Sequence, residues 1–457
     1  MRETSSSQII SPKLMRIAEL AAEMPDEALT TLAHHIDIIF LLEAWRRTRR
    51  DGAVGIDGQS AEEYEENLLG NLEKLLQSAK DGSYRAPPVK RVHIPKGDGS
   101  KTRPIGIPTY EDKILQRAVA MVLEAVYEQD FLDLSWGFRP GRSTHHAVEA
   151  TRQELMKMPQ GGWVLEVDIK GFFDAIDHDQ LREILSQRIK DGVILRLVGK
   201  WLHAGVMEDG VVKRTSKGTP QGGVISPILA NVYLHEVFDT WFEQQVRPRM
   251  HRRCFATRYA DDIVMGFEKE EDARRVLEVI HKRFDKYGLK LHPEKTRLVE
   301  FRRPRPDEDT RPRKDDERTS FDLLGFTLFW GQTRRGNWVV KQKTASKRLH
   351  RAVKAIWQWC KRNRHLPVRD QHETLTRKLK GHYAYYGVSG NFRCLGLFVH
   401  WAKRAWRYWL NRRSNRAKMD WNKFNRLLTV YRLPAPRIIH SAGTLRAKLH
   451  HARSRMH

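Results

Sequence analysis

The chain predicts an α+β fold, a mixed body followed by a helical and strongly basic segment. Three observations lead there. Strand-like and helix-like stretches interleave irregularly through residue 340 instead of alternating in regular βαβ units, which points to helices on one face of mixed sheet. Beyond residue 344 the apolar spacing is helical. The charge also divides the chain. Residues 341–457 hold 29 Lys and Arg against only Asp370, Glu373 and Asp420, so they carry the whole net +26, and residues 1–340 balance to zero. An excess this large points to a polyanion, most simply nucleic acid.

At 457 residues the chain is long enough for two or three domains. Its three cysteines, Cys254, Cys360 and Cys394, are too few and too scattered for a disulfide framework or a four-Cys zinc site, and they suit a reducing compartment. No apolar run reaches membrane-spanning length, and residues 1–20 lack a secretory core. A cytoplasmic protein without a membrane partner is expected.

Taken in order, residues 11–50 read as helix, with Leu14, Ile17, Leu20 and Ala21 at helical spacing and a break at Pro25-Asp26. Ser60 and Glu63 form a capping box for a helix to about Ala79, closed by Asp81-Gly82. Residues 89–96 read as an alternating strand, Gly97-Asp98-Gly99 as a hairpin turn and 103–108 as the return strand. A helix follows over about 110–127. Residues 163–169 read as a buried strand and 178–204 as helices. Thr219-Pro220-Gln221-Gly222-Gly223 is a tight turn before a helix from Ser226 to about Val246. Apolar residues flank Tyr259-Ala260-Asp261-Asp262, which predicts a hairpin with two acids at its tip, then a helix over about 270–287. Residues 302–318 are too polar to bury a core. Strands resume at 321–330 and 338–340. Helices after Thr344 are expected to be interrupted at Gly381, Gly387 and Gly390, with Trp401, Trp406 and Trp409 turned inward from Lys403, Arg404 and Arg407.

The paired acids Asp261 and Asp262 repel each other unless a cation sits between them. A third acid, Asp168, ends the apolar strand and is followed by Ile169-Lys170-Gly171-Phe172-Phe173-Asp174. As alternatives to a metal site, Asp261 and Asp262 can form a solvated turn, and Asp168 or Asp174 can cap a helix. Three carboxylates and two divalent ions make the arrangement for in-line phosphoryl transfer, with Mg2+ the expected ion.

Asp168, the Tyr-Ala-Asp-Asp hairpin and Thr219-Pro220-Gln221-Gly222 resemble the palm of a reverse transcriptase. Further motifs follow in the order seen in group II intron reverse transcriptase/maturases. They are Ile94-Pro95-Lys96, Arg103-Pro104-Ile105-Gly106-Ile107-Pro108, Ser135-Trp136-Gly137-Phe138-Arg139-Pro140-Gly141, Ser226-Pro227-Ile228-Leu229-Ala230-Asn231 and Leu324-Gly325-Phe326. The resemblance spans about 50–415. It implies a right-hand polymerase with an N-terminal helical extension (1–59), fingers and palm (60–340), an all-helical thumb/maturase domain (341–415) and a basic DNA-binding segment (416–457).

The resemblance also implies roles. Asp168, Asp261, Asp262 and the carbonyl of Ile169 would hold metal. Lys96 and Arg103 would meet the incoming triphosphate of the dNTP. Phe173 would reject a ribose 2′-hydroxyl, and Gln221 and Gly222 would touch template and incoming base. Lys295 would protonate the departing pyrophosphate. Tyr259, Leu324 and Gly325 would hold the primer. Lys347, Arg348, Arg351 and Lys354 would track RNA phosphates. The implied partners are group II intron RNA, an RNA template with its DNA primer, target DNA and dNTPs. Many members end in a Cys- and His-rich endonuclease; residues 416–457 have no paired cysteines, so none is expected here. Two other roles use the same residues: a reverse transcriptase adapted to defence or CRISPR-linked work, and an RNA-binding splicing factor with an unused polymerase site.

Overall fold

A computed structural model describes residues 5–95, 102–158, 160–208, 211–213, 217–218, 222–304, 320–413 and 418–454. Lys96, the 97–99 turn, Gln221 and all but the first residues of the 302–318 segment lie outside them. The described strands are β1 Val89–Pro95, β2 Thr102–Ile107, β3 Gly161–Val167, β4 Val206–Glu208, β5 Val211–Lys213, β6 Cys254–Tyr259, β7 Asp262–Phe267, β8 Arg297–Arg302, β9 Ser320–Leu323, β10 Phe326–Gln332 and β11 Trp338–Thr344.

These strands form three sheets. The N-terminal sheet runs β2-β1-β4-β5, with β1 antiparallel to β2 and parallel to β4. The central sheet runs β6-β7-β3-β8, antiparallel throughout. The third runs β11-β10-β9 and leads into the C-terminal helices. The main core gathers around the helix Tyr110–Asp130, which buries Ile114, Leu115, Ala118, Val119 and Val122 completely. An apolar residue on every face marks a helix surrounded by protein.

Residues before 60 share this core. Ile17, Phe40 and Leu41 are fully buried in it. The Arg188 guanidinium donates to the carbonyls of Ala21, Met24 and Glu27 and pairs with Asp130. One Asp191 oxygen caps the helix Gly192–His203, and the other accepts from the amides of Leu32 and Ala33 at 2.7 and 2.8 Å. At the other end, helices Ser346–Arg362, Val368–Tyr386 and Phe392–Leu410 enclose their own core, which Phe424 of helix Trp421–Val430 completes. Helix Ala442–Ser454 then returns to helix Thr144–Met156, where Leu449 joins Trp136, Ala147 and Ala150. Packing is therefore continuous across residues 59 and 415.

Several expectations change in detail. The Ser60–Glu63 capping box is present, but its helix ends at Glu65 and a second, Leu68–Asp81, closes at left-handed Gly82. Strand β1 does not alternate. Its far end is exposed on both faces because it projects from the body. Gly381 lies inside helix Val368–Tyr386. Gly387 does end that helix, since a Cβ there would sit 2.3 Å from the Tyr383 carbonyl and 2.7 Å from that of Arg437. Trp406 is buried and donates to Gln371, whereas Trp401 faces solvent under the Arg404 guanidinium. Among the described residues no helix is long and apolar enough to cross a membrane.

Candidate active site

Strand β3 lies between β7 and β8, and Val167 pairs with Ile263. The end of β3 therefore emerges beside the turn that precedes β7. Asp168 follows directly, and its carbonyl accepts from the His292 amide at 2.8 Å. Ile169 is almost wholly enclosed, with its backbone bridged to Leu291. Gly171 opens the short helix Phe172–Ala175 in a left-handed conformation, and Asp177 caps the helix after it. Neither Asp168 nor Asp174 makes a helix cap, so the capping alternative is set aside for both.

The turn itself is two residues long. Tyr259 pairs with Asp262, leaving Ala260 and Asp261 at the tip, with Ala260 at φ 55°. A left-handed alanine is uncommon, and surrounding structure must hold it. Gly137 lies directly against it: a Cβ there would fall 2.3 Å from the Ala260 nitrogen.

The three acids feel one another. Burial, then the neighbouring Asp168, raises the Asp261 carboxyl, with Arg103 and Lys295 opposing. Asp262 is pushed up to about 6, first by the loss of bulk water around it and then by Asp261 and Asp168. Its side chain opens onto the pocket while the walls displace water from its other sides. The Lys295 ammonium donates to Asp168, presented by the turn that begins at His292. Among the described residues no three His, Cys, Asp or Glu side chains are gathered so as to hold a metal ion by themselves. Asp261 and Asp262 at an open pocket, with Asp168 near enough to raise both, have the donor chemistry of a hard divalent cation that takes its remaining ligands from a substrate.

That pocket has a volume of about 520 Å³. Arg103, Tyr259, Asp261 and Asp262 line it together with Leu324, Gly325, Arg348, Tyr385 and Tyr386. Leu324 and Gly325 form the tight β9–β10 turn, both at positive φ. The Tyr385 hydroxyl donates to the Leu324 carbonyl at 2.8 Å, and a Cβ on Gly325 would stand 3.1 Å from the Tyr386 hydroxyl. Phe172 is buried and Phe173 half-buried, the two rings 5.3 Å apart. Gly222, at φ 115°, lies against strand β2, where a Cβ would meet the Gly106 carbonyl at 2.5 Å. Gly222 thus lies against the same strand that carries Arg103.

Lys347, Arg351 and Lys354 are exposed on helix Ser346–Arg362. Arg348 departs from that group. It lines the acid pocket, and its charge opposes the rise of Asp262. Tyr385 and Tyr386 come from the last turn of helix Val368–Tyr386. The Arg258–Asp239 pair beneath the turn was not anticipated. Its signal was an arginine inside an otherwise buried strand, a residue that requires an acid or several acceptors.

A family model described as reverse transcriptase (RNA-dependent DNA polymerase) matches residues 94–328, just over half of the chain. The chain is 36% identical over 286 residues to the group II intron-encoded protein LtrA of Lactococcus lactis subsp. cremoris, covering 59% of this chain and 46% of that protein. It is 37% identical over 243 residues to protein YkfC of Escherichia coli strain K12, covering 52% and 63%. It is 26% identical over 386 residues to the putative COX1/OXI3 intron 2 protein of Saccharomyces cerevisiae, covering 73% and 42%. The chain thus spans less than two thirds of the length of these relatives.

Proposed function

The chain belongs to the reverse transcriptase family, and we propose that it is an RNA-directed DNA polymerase encoded by a group II intron, which also binds that intron RNA to assist splicing and retrohoming. One observation carries the polymerase reading. Asp168 at the end of β3 meets Asp261 and Asp262 at the start of the adjacent β7, facing a pocket that also holds Arg103, Tyr259 and Arg348.

Asp168, Asp261 and Asp262 are the residues that would hold divalent metal, Mg2+ in this reading, with the Ile169 carbonyl as a further donor. Bound there, the metal supplies activation of the primer 3′-hydroxyl and charge neutralisation on the departing pyrophosphate. The chain's own groups do the rest. Arg103, with Lys96, pairs with the triphosphate of the dNTP as a charge-assisted clamp. Phe173 would set its ring against a ribose 2′-hydroxyl and so exclude ribonucleotides. Gln221 and Gly222 border the template base and the incoming base. Lys295, which donates to Asp168, would deliver a proton to the leaving pyrophosphate. Tyr259 and the Leu324-Gly325 turn would flank the primer end, with Arg348 of the same pocket beside them. Lys347, Arg351 and Lys354 offer cations to an RNA backbone.

The test is extension of a DNA primer on an RNA template by the purified chain with dNTPs and Mg2+, beside a splicing assay with the intron RNA flanking its gene. The reading expects cDNA and accelerated splicing. No extension under any divalent ion would end the polymerase assignment, and extension without any effect on splicing would end the maturase part.

A further inference from the structure

Beneath the acidic turn lies a polar group with no solvent contact. Arg258, in β6, and Asp239 are both completely buried. Arg258 Nε donates to Asp239 Oδ1 at 2.7 Å and Nη2 to Oδ2 at 2.5 Å, a two-pronged fork. Its Nη1 donates to Asn231 Oδ1 at 2.9 Å and to the Ala260 carbonyl at 3.3 Å. Asn231 Nδ2 in turn donates to the Gly137 carbonyl at 2.8 Å. The Arg258 backbone is held as well: its amide donates to the Leu134 carbonyl and its carbonyl accepts from the Trp136 amide, each at 2.8 Å. Gly137 is the residue that presses on the Ala260 nitrogen. Both sides of the left-handed alanine are therefore tied to one guanidinium.

The helix that supplies the partners is built for this. It begins as α-helix, Ser226–Leu234, and continues with π winding over His235–Thr240. Eight residues separate Asn231 from Asp239. At roughly 100° per residue an α-helix would turn them about 80° apart. The wider π turn rotates less per residue and brings both onto Arg258. Local π winding inside a helix is rare and clusters at functional sites. Burial alone would push the Asp239 carboxyl up, but Arg258 outweighs it and the group is held below the usual range. The pair is ionised, and an ionised buried pair has little to recommend it for stability alone.

We propose that Arg258, Asp239 and Asn231 are positioning residues that hold Ala260 left-handed and so aim Asp261 and Asp262 at the metal and the primer end. The inference rests on the polymerase reading. None of the three touches the pocket. Their effect is on the direction of two carboxylates, and a misplacement of about 1 Å costs on the order of 100-fold in rate.

The experiment uses the full-length chain with Arg258→Met/Asp239→Leu, which replaces the ion pair by apolar groups of similar volume, beside Arg258→Lys and Asn231→Ala. Thermal unfolding, primer–template Kd, dNTP KM, kcat and Mn2+ affinity by electron paramagnetic resonance are measured for each. The double variant is expected to unfold near the wild-type temperature with Kd and KM unchanged, while kcat falls at least tenfold and Mn2+ binds more weakly. Lysine, which keeps the charge but not the fork, is expected to lie between. If the double variant does not fold, Asn231→Ala decides: kcat lowered threefold or more at unchanged Kd supports the role, and unchanged kcat overturns it. A folded double variant with wild-type kcat and Mn2+ affinity also overturns it. Wild-type protein that fails to polymerise in the same assay overturns the functional reading instead, so the two failures are distinguishable.

Discussion

Replacing Asp262 by asparagine is expected to stabilise the metal-free protein while ending its activity. The Asp262 carboxyl is pushed from 3.8 up to about 6 by lost hydration and by Asp261 and Asp168. Above pH 6 the folded chain must hold it ionised in that setting. A rise of about two pH units corresponds to about 3 kcal/mol against the fold as a ceiling. Asp262 opens onto solvent, and screening there reduces the figure to about 1 kcal/mol. The sign follows from the direction of the shift. An acid raised on folding costs nothing below pH 4, where both states are protonated; the cost grows between pH 4 and 6 and is complete above 6. Asp262→Asn removes it, which for a cooperative unit of roughly 200 residues raises Tm by about 2–4 °C. Differential scanning fluorimetry in EDTA at pH 7.5 and 4.5 reads this directly. The gain should be full at pH 7.5 and reduced to about a third at 4.5, and saturating Mg2+ should raise the wild-type Tm more than that of the variant. A variant no more stable than wild type at pH 7.5, or one that Mg2+ stabilises equally, would refute the picture of three carboxylates awaiting a cation.

Other outcomes follow from the same geometry. Phe173→Val should raise ribonucleotide use at least tenfold relative to dNTP, a loss of about 1.4 kcal/mol in discrimination, read by competition in primer extension; an unchanged preference removes the ring from that role. Lys295→Met should lower kcat by roughly 100-fold with primer–template affinity unchanged, and should remove the basic limb of the pH–rate profile if the ammonium delivers a proton. Replacing Lys347, Arg351 and Lys354 together by alanine should reduce the salt slope of RNA binding by about 2–3, each exposed cation accounting for close to one released counterion. The same triple variant should leave kcat on a saturating template intact.

What the sequence made legible depended on how local the signal is. The capping box at Ser60, the Tyr259–Asp262 turn and the strand ending at Asp168 are written within a few residues, and all three form as read. Strand β4 escaped because its three residues carry almost no pattern, and β1, read as a strand, lacks the expected alternation because it projects into solvent with its far end exposed on both faces. Arg348 was grouped with Lys347 because helical spacing describes one helix and cannot report that its first turn abuts the β9–β10 hairpin. The Asp239–Arg258 pair was hidden for a related reason. A helix wheel at 100° per residue misplaces any residue beyond a π turn, and the partner sits in a strand 19 residues on. The return of helix Ala442–Ser454 to helix Thr144–Met156 is a contact across some 300 residues, sealed by Leu449 and by Arg446 with Glu149 at 3.4 Å. Its basic composition speaks for a polyanion and says nothing of where the helix docks.

Single-turnover primer extension on an RNA template, comparing wild type with Asp168→Asn, Asp261→Asn and Asp262→Asn at equal primer–template occupancy, bears most directly on the three-carboxylate site. Each variant should bind primer–template as wild type does and lose nucleotide addition by at least 1,000-fold, about 4 kcal/mol of transition-state stabilisation. Addition at a near wild-type rate by any one of the three would contradict the account.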